Sequence, residues 1–210
     1  QPERVKDVLQ KAKADGISST IEAVKSKLDQ PLPLGYCNVG TVIDAKDINL
    51  EEGSRVISNG NHAEQVLVPR NLCCKIPDCV SDEEASFAVI GSIGLQGIRM
   101  ANPNFGERYL VIGLGIIGQI TLQLLKSNGC EVFAFDTNSQ RCDLASQFGA
   151  TCLHLNSYVN PITWSEKQTN NLGFDGVIVT ASTNTSDPLT LAANVARKKG
   201  KIDLVGTSKI

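Results

Sequence analysis

Residues 111–136 read VIGLGIIGQITLQLLKSNGCEVFAFD, an apolar strand, a glycine-rich loop, a helical stretch and a second apolar strand. The loop has the pattern G-x-G-x-x-G in the strand-to-helix context that a dinucleotide-binding turn requires. There the first glycine makes the tight turn, the second lets the backbone approach a pyrophosphate, and the third lets the helix pack on the strand. Backbone amides at the helix start then face the anion, and the helix dipole adds to the attraction. The predicted loop residues are Gly113, Gly115, Ile116, Ile117 and Gly118.

The acid that ends the second strand is Asp136, 21 residues after Gly115. A carboxylate at this place accepts hydrogen bonds from the adenine ribose and repels a 2′-phosphate, which favours NAD over NADP. Arg141, five residues further on, would weaken that preference. Two alternatives remain: a glycine turn that binds no ligand, and a methyltransferase, which also has a glycine-rich loop and an acid after its second strand. The uninterrupted glycine pattern favours the dinucleotide.

Strands alternate with helices around this stretch, which predicts an α/β fold with a parallel, doubly wound sheet. Residues 156–171 have no clear pattern, and the sheet is one strand short of a six-stranded Rossmann sheet. We predict a dinucleotide-binding domain over residues 101–210. Its predicted strands are residues 109–113, 131–136, 151–155, 176–181 and 201–206, and helices are predicted after the glycine loop and at residues 139–147 and 188–197.

The first half of the chain has a different pattern of predicted secondary structure. Residues 1–30 have a helical pattern that Asp15 and Gly16 divide into two helices, and they form a predicted helical leader. Residues 31–100 contain short β-rich segments, then a helix that begins at a Ser81–Glu84 capping box and runs through residues 85–90 towards Met100. The predicted strands of this β-rich unit are residues 39–43, 55–57 and 65–68.

Composition excludes some classes of function. The net charge of −2 gives no reason to expect affinity for nucleic acid or anionic membranes. No apolar run approaches the roughly 18 residues that a membrane span needs. The seven cysteines form no C-x-x-C pair, so we expect reduced, mostly buried thiols in a cytoplasmic protein. The chain begins with neither Met nor a signal peptide, which suggests a fragment of a longer protein.

A β-rich unit, a connecting helix and a dinucleotide-binding sheet, in this order, resemble the medium-chain dehydrogenase/reductase superfamily, which includes the zinc alcohol dehydrogenases. The resemblance covers roughly residues 32–209. It implies an NAD-dependent oxidoreductase with a Rossmann domain and a GroES-like unit, which is partial here because its first strands would precede residue 1. The matching segments are PLGYCNVGTVIDA, EEGSRVISNGNHAEQVLVP, IPDCVSDEEASFAV, VIGLGIIG, GFDGVIVTAS and GKIDLVG.

The helical leader adds a narrower resemblance, to the N-terminal module of bacterial bi-domain oxidoreductases found with surface-polysaccharide genes. In those proteins a second dehydrogenase-like domain follows. The resemblance implies that partner domain and a small-molecule substrate such as a sugar or sugar nucleotide. Relatives commonly form homodimers through the edge of the cofactor sheet, but that edge strand is missing here, so the sequence leaves the oligomeric state open.

The resemblance also implies which residues lie near the nicotinamide end of the cofactor. They follow the fourth and fifth predicted strands of the parallel sheet, at the carboxyl ends where open α/β sheets bind ligands. These residues are Thr180, Ala181, Ser182, Val205, Gly206 and Thr207.

The zinc ligands of the superfamily are not repeated in this chain. Zinc members carry His-Glu where this chain has Tyr36 and Cys37, and residues 91–93 contain no Cys, His or acid. We therefore predict a zinc-independent protein. Hydride transfer without zinc needs a proton donor or a polarising hydrogen bond, and the candidates are His62, Tyr36 and Cys37. The alternatives are a surface histidine in a turn and a packed cysteine.

Two functions remain open from the sequence. The first is an enzyme that transfers hydride to or from a carbonyl or alcohol carbon. The second is a dinucleotide-binding structural or sensing module of a larger protein, without catalysis of its own. The sequence identifies neither the substrate, nor the direction of the reaction, nor the proton donor.

Overall fold

A computed structural model describes residues 12–13, 16–28, 33–46, 50–156 and 158–206 of the chain. Residues 12–13 are helical, and the longer helices of this described part are α1 (Ile17–Leu28), α2 (Asp82–Ala85), α3 (Ala88–Ala101), α4 (Ile116–Ser127), α5 (Ser139–Gln147), α6 (Pro161–Thr169) and α7 (Asp187–Val195). Its eight strands are β1 (Asn38–Thr41), β2 (Arg55–Ser58), β3 (Cys73–Lys75), β4 (Arg108–Ile112), β5 (Glu131–Asp136), β6 (Thr151–His154), β7 (Phe174–Val179) and β8 (Ala196–Leu204).

The second half of the chain is the predicted α/β fold. Its five strands are parallel and lie in the order β6-β5-β4-β7-β8. Helices cover both faces, because near-continuous apolar strands must bury both sides. One core includes Leu122 of α4 and Ala145 of α5, and the other includes Trp164 of α6 and Val195 of α7. Trp164 packs edge-on against Phe135.

The first half of the chain forms a smaller antiparallel sheet, in the order β1-β2-β3. The prediction of a strand at residues 65–68 was wrong, because that segment is irregular and Leu67 is fully exposed. The third strand is β3 instead. Pro69 has no backbone N–H for a sheet ladder, and it precedes a short 3₁₀ turn (Arg70–Leu72) that leads into β3.

Helix α3 connects the two sheets. At its first turns Val89 packs against the cluster of Ile57, Ile76 and Ala85, which belongs to the smaller unit. At its last turns, Ile98 and Ala101 are buried in the core of the parallel sheet. One helix therefore fixes the position of the smaller sheet relative to the larger one.

Several predicted boundaries need correction. The capping box of Ser81 and Glu84 is confirmed, but the helix it begins ends at Ala85, and α3 starts separately after Phe87. Helix α6 lies in the stretch that shows no pattern in the sequence. In the leader, α1 begins directly after Gly16, which has a φ of +88°, whereas nearly all of the first predicted leader helix lies outside the described residues. The domain boundaries stay a prediction.

All seven cysteines are free thiols, but the expectation that most are buried was wrong. Cys130 and Cys142 are buried, Cys74 and Cys79 are exposed, and the remaining three are intermediate. Burial raises the pKa of the Cys142 thiol to about 11, so this thiol is protonated at neutral pH and unreactive. Within the described residues, no helix is long and apolar enough to cross a membrane.

Candidate dinucleotide site and the residues beside it

The glycine loop lies at the point where the strand order of the parallel sheet reverses. Strands β4 and β7 are neighbours, and the chain leaves them towards helices on opposite faces. The loops that follow are tied together: the Thr180 and Ala181 amides both donate to the Ile112 carbonyl, and the Thr180 hydroxyl donates to the Gly113 carbonyl at 2.5 Å. Ligands of open α/β sheets bind in the crevice at such a point.

Two of the three glycines are required by the protein itself. Gly113 has a φ of +96°, and a Cβ there would lie 2.6 Å from the Ala181 amide nitrogen. A Cβ on Gly118 would overlap the Gly113 carbonyl oxygen and lie 2.9 Å from the Thr180 hydroxyl oxygen. These glycines let α4 and the loop after β7 pack against the turn, as the pattern predicts.

Gly115 is different, because nothing in the protein requires a glycine there. Its φ of −65° suits any residue, and a Cβ would meet no atom within 4 Å. Gly115 is the N-cap of α4 and provides no side chain to cap the amides of the first turn. Open space in front of uncapped helix amides is what a pyrophosphate needs, so this part of the loop fits the group. Ile116 and Ile117 lie in that first turn.

We expect Gly118→Ala to destabilise the fold by about 3 kcal/mol, because the added methyl group meets backbone atoms that cannot move away cheaply. Urea unfolding followed by circular dichroism measures the change. Gly115→Ala is the matched control, with an expected cost below about 1 kcal/mol. Equal costs for the two variants would contradict the assignment of Gly118 to packing.

Asp136 ends β5 beside the glycine loop, as predicted, and its carboxylate is almost completely buried. One carboxylate oxygen accepts from the Leu114 amide at 2.6 Å, and the other accepts from the Asn138 amide at 2.7 Å. The Arg141 guanidinium lies 3.8 Å from the first oxygen. The acid therefore positions the glycine loop. Each oxygen keeps a second lone pair, so the predicted ribose contact is chemically open to it.

The residues predicted at the nicotinamide end are also brought to this edge. The Val205 and Gly206 amides both donate to the Val179 carbonyl at 2.9 Å. A Cβ on Gly206 would overlap the Ala181 carbonyl, so the loops after β7 and β8 are in close contact. Ser182 follows directly, whereas Thr207 lies outside the described residues. The candidate cofactor residues of the described part therefore share one end of the sheet.

The three candidate proton donors lie together at the start of β1. The His62 Nε2 atom is 3.1 Å from the Cys37 carbonyl oxygen. A carbonyl only accepts, so Nε2 carries the hydrogen and Nδ1 is left as an acceptor in the neutral ring. A Cβ on Gly35 would overlap the imidazole, which shows how closely the ring covers that backbone. Tyr36, between Gly35 and Cys37, is 52% exposed.

The Cys37 thiol is already engaged. Its sulfur donates to the Ser86 carbonyl at 2.9 Å and so connects β1 to the turn between α2 and α3. This contact favours a structural role for Cys37 over the predicted chemical one. In the part of the chain that the structure describes, no three His, Cys, Asp or Glu side chains are grouped closely enough to hold a metal ion.

Two polar residues of this region escaped the sequence analysis. Asp203 of β8 faces a cavity of about 570 Å³, lined also by Ser92, Gln96 and Met100, and one of its carboxylate oxygens is buried without a hydrogen-bond partner. Burial raises the pKa of this carboxyl group. Gln119 of α4 is buried as well. Two sequence signals could have pointed to these residues: Asp203 is an acid inside an edge strand, and Gln119 is an amide directly after the glycine motif.

Comparison with known proteins agrees with this geometry. Residues 117–210 match the family model described as zinc-binding dehydrogenase. The chain is 29% identical over 155 residues to the L-idonate 5-dehydrogenase of Vitis vinifera, covering 72% of this chain and 42% of that protein. It is 28% identical over 140 residues to an uncharacterized zinc-type alcohol dehydrogenase-like protein of Escherichia coli, covering 66% and 40%. The chain thus spans less than half the length of these curated relatives.

Solved structures share the fold. An alcohol dehydrogenase from Thermus sp. superposes with a TM-score of 0.78 at 24% identity, covering 84% of this chain and 62% of that one. Galactitol-1-phosphate dehydrogenase from Escherichia coli superposes with a TM-score of 0.76 at 20% identity, covering 86% and 61%.

The parallel sheet with its glycine turn and strand-end acid defines a Rossmann-type fold beside a smaller β-rich unit. More specifically, residues 117–210 match the zinc-binding dehydrogenase family, and the curated relatives of the chain are a dehydrogenase and an alcohol dehydrogenase-like protein. The superfamily resemblance is therefore confirmed. The narrower resemblance to polysaccharide-linked bi-domain oxidoreductases stays a prediction.

Proposed function

We propose that the chain is the NAD(H)-dependent part of an oxidoreductase that transfers hydride between the cofactor and an alcohol or carbonyl carbon. The observation that carries this proposal is the open, uncapped start of α4 at Gly115, beside the carboxylate of Asp136. The relatives are dehydrogenases, and one mycobacterial structure of the same fold contains NADPH. The preference for NAD over NADP rests on Asp136.

The substrate class that we favour is a sugar or a sugar alcohol. Two of the relatives are named for L-idonate and for galactitol-1-phosphate, which are both polyhydroxylated. A sugar nucleotide, and a second dehydrogenase-like domain in the full-length protein, are suggested only by the resemblance of the helical leader. A homodimer is a further proposal.

In this proposal the bound dinucleotide supplies the hydride chemistry, and the chain supplies binding and orientation. The amides of the first turn of α4 bind the pyrophosphate. Asp136 accepts from the ribose hydroxyls, and the loops at Thr180–Ser182 and Val205–Gly206 hold the nicotinamide end. The hydrogen bond from the Thr180 hydroxyl to the Gly113 carbonyl fixes the position of the nicotinamide loops relative to the pyrophosphate loop.

We further propose that the proton is handled without zinc, by His62 and Tyr36. The contact between His62 Nε2–H and the Cys37 carbonyl fixes the tautomer of the neutral ring, so Nδ1 is the atom that takes a proton from an alcohol. The half-exposed Tyr36 hydroxyl is the group that polarises a substrate oxygen. Cys37 contributes by holding the turn at Ser86.

His62→Gln is expected to lower kcat by about a hundredfold, because a positioned acid or base typically contributes a factor of that order. The affinity for NADH should stay unchanged, because His62 lies in the turn after β2 of the smaller unit and not in the glycine loop. Steady-state turnover of polyols by the full-length protein, with its pH profile, measures the first effect. His154→Gln is the control, since this second histidine lies on β6 of the parallel sheet, where its Nε2 atom is 2.9 Å from the Thr137 carbonyl oxygen. Wild-type turnover by His62→Gln would remove His62 from the mechanism.

A second function is a dinucleotide-binding module without catalysis. The observation that favours it is the Cys37 thiol, which donates to the Ser86 carbonyl and belongs to the Tyr36–Cys37 pair that stands where zinc members carry His-Glu. Calorimetric titration with NADH, NADPH and S-adenosylmethionine is the first test. Selective NADH binding supports both functions, and NADH binding without turnover of any polyol or sugar nucleotide supports only the second. Binding of S-adenosylmethionine alone would overturn both.

A further inference from the structure

We infer that Gln119 is a positioning residue that couples the glycine loop to the turn after β5 and thereby sets the discrimination at the adenine ribose. The inference rests on the proposed dinucleotide function. Gln119 is the first residue after the glycine motif, in the first turns of α4. It is 8% exposed, and its side chain crosses from the glycine loop to α5.

The hydrogen bonds around Gln119 form a closed ring. Its Nε2 atom donates to the Arg141 carbonyl at 2.8 Å and, at a longer 3.4 Å, to the Leu114 carbonyl. The Leu114 amide donates to Asp136, and Asp136 also accepts from the Asn138 amide. The ring closes where the Arg141 amide donates to the Asn138 side chain at 3.2 Å. Every member is therefore fixed from two sides.

The chemistry of the Gln119 amide supports this role. Both carbonyls face its NH₂ group, and the opposite orientation of the amide would place its oxygen against two other oxygens. Its Oε1 atom is one of two buried side-chain nitrogen or oxygen atoms without a partner in the described chain. A leucine or methionine of similar size would fill the space without burying an unpaired acceptor. The bridge between two loops explains why an amide is present instead.

Through this ring of hydrogen bonds, the Gln119 side chain affects whether the site prefers an adenine ribose with a 2′-hydroxyl or one with a 2′-phosphate. The Arg141 side chain is 54% exposed, and its guanidinium lies 3.8 Å from the carboxylate of Asp136, the acid that we propose repels a 2′-phosphate. Without the bridge, the first turn of α5 is released at the Arg141 carbonyl. The guanidinium is then free to leave the carboxylate and pair with a 2′-phosphate.

The test uses ligands that contain only the adenosine side of the cofactor. ADP-ribose and 2′-phospho-ADP-ribose are titrated calorimetrically into the wild-type chain, Gln119→Met and Gln123→Met. Gln123 is the matched control, because it lies one turn further along α4 and donates within the helix to the Gln119 carbonyl. The wild type should prefer ADP-ribose. Gln119→Met should lose about tenfold of this preference, whereas Gln123→Met should keep it within about twofold.

Three outcomes would overturn the inference: no preference in the wild type, an unchanged preference in Gln119→Met, or an equal loss in the control. A wild-type chain that binds neither ligand would instead overturn the proposed dinucleotide function. Asn138→Ala opens the same ring at an exposed residue and decides the matter if Gln119→Met does not fold. It should produce a similar loss, and the double variant should lose no more than either single one. Additive losses, or an unchanged preference in Asn138→Ala, would contradict a common ring.

Discussion

Gly115→Ser is expected to stabilise the fold slightly and at the same time to weaken NADH binding about a hundredfold. Serine is a favoured N-cap residue, and its hydroxyl would accept from an amide of the first turn of α4, which gives a few tenths of a kcal/mol. The same hydroxyl would occupy the open space in front of those amides, where the pyrophosphate is proposed to bind. Stability and affinity should therefore change in opposite directions.

Thermal unfolding and NADH calorimetry on the same preparation measure both effects. Gly40→Ser is the matched control, since a Cβ at Gly40 also meets no atom within 4 Å but lies on β1, away from the helix start. It should leave NADH affinity unchanged. A Gly115→Ser variant that binds NADH as tightly as the wild type would show that the glycine loop does not hold the phosphates.

Asp136→Ala should lower stability by about 3 kcal/mol and NADH affinity by at least about tenfold. The carboxylate side chain is only 6% exposed, and removing it leaves the Leu114 and Asn138 amides without their acceptor. A buried donor that loses its partner costs about 1–3 kcal/mol. NADPH affinity should fall much less than NADH affinity, because the charge that repels a 2′-phosphate is removed as well.

Urea unfolding gives the loss of stability, and parallel titrations with NADH and NADPH at a temperature where the variant is folded give the affinities. Asp143→Ala is a suitable control, because this acid lies on the exposed side of the neighbouring helix α5. Equal losses of affinity for the two dinucleotides would mean that Asp136 acts only through the fold and not on the ribose.

The parallel half of the molecule was predictable because local signals agree with the tertiary structure there. The bounds of β5 and α5 match the prediction, since an apolar run ends at an acid and Asn138 caps the next helix. Helix α6 was missed because its residues are mainly polar, although Asn160 at its N-cap and Pro161 in its first turn were visible signals. The β-rich half is harder, because short strands depend on their neighbours in space.

The candidate site likewise contains residues that local sequence predicts and residues that only the tertiary structure brings together. The glycine turn and Asp136 follow one continuous stretch, so spacing alone places them. The contact between His62 and Cys37 joins residues 25 positions apart, and no periodicity reports it. Gln119 looks like an ordinary polar residue on a helix, and its proposed role depends on the fold that brings the Arg141 carbonyl to it.

Helix α3 has a mechanical consequence. Since its two ends pack in different cores, any change in the angle between the two sheets must tilt the helix or bend the chain just before it. The segment where the chain would bend is Ser86 and Phe87, between the end of α2 and the start of α3. The Cys37 thiol donates a hydrogen bond to the Ser86 carbonyl in that segment. This one hydrogen bond therefore restrains the segment between α2 and α3. Alkylation of the Cys37 thiol would break the bond and release the segment.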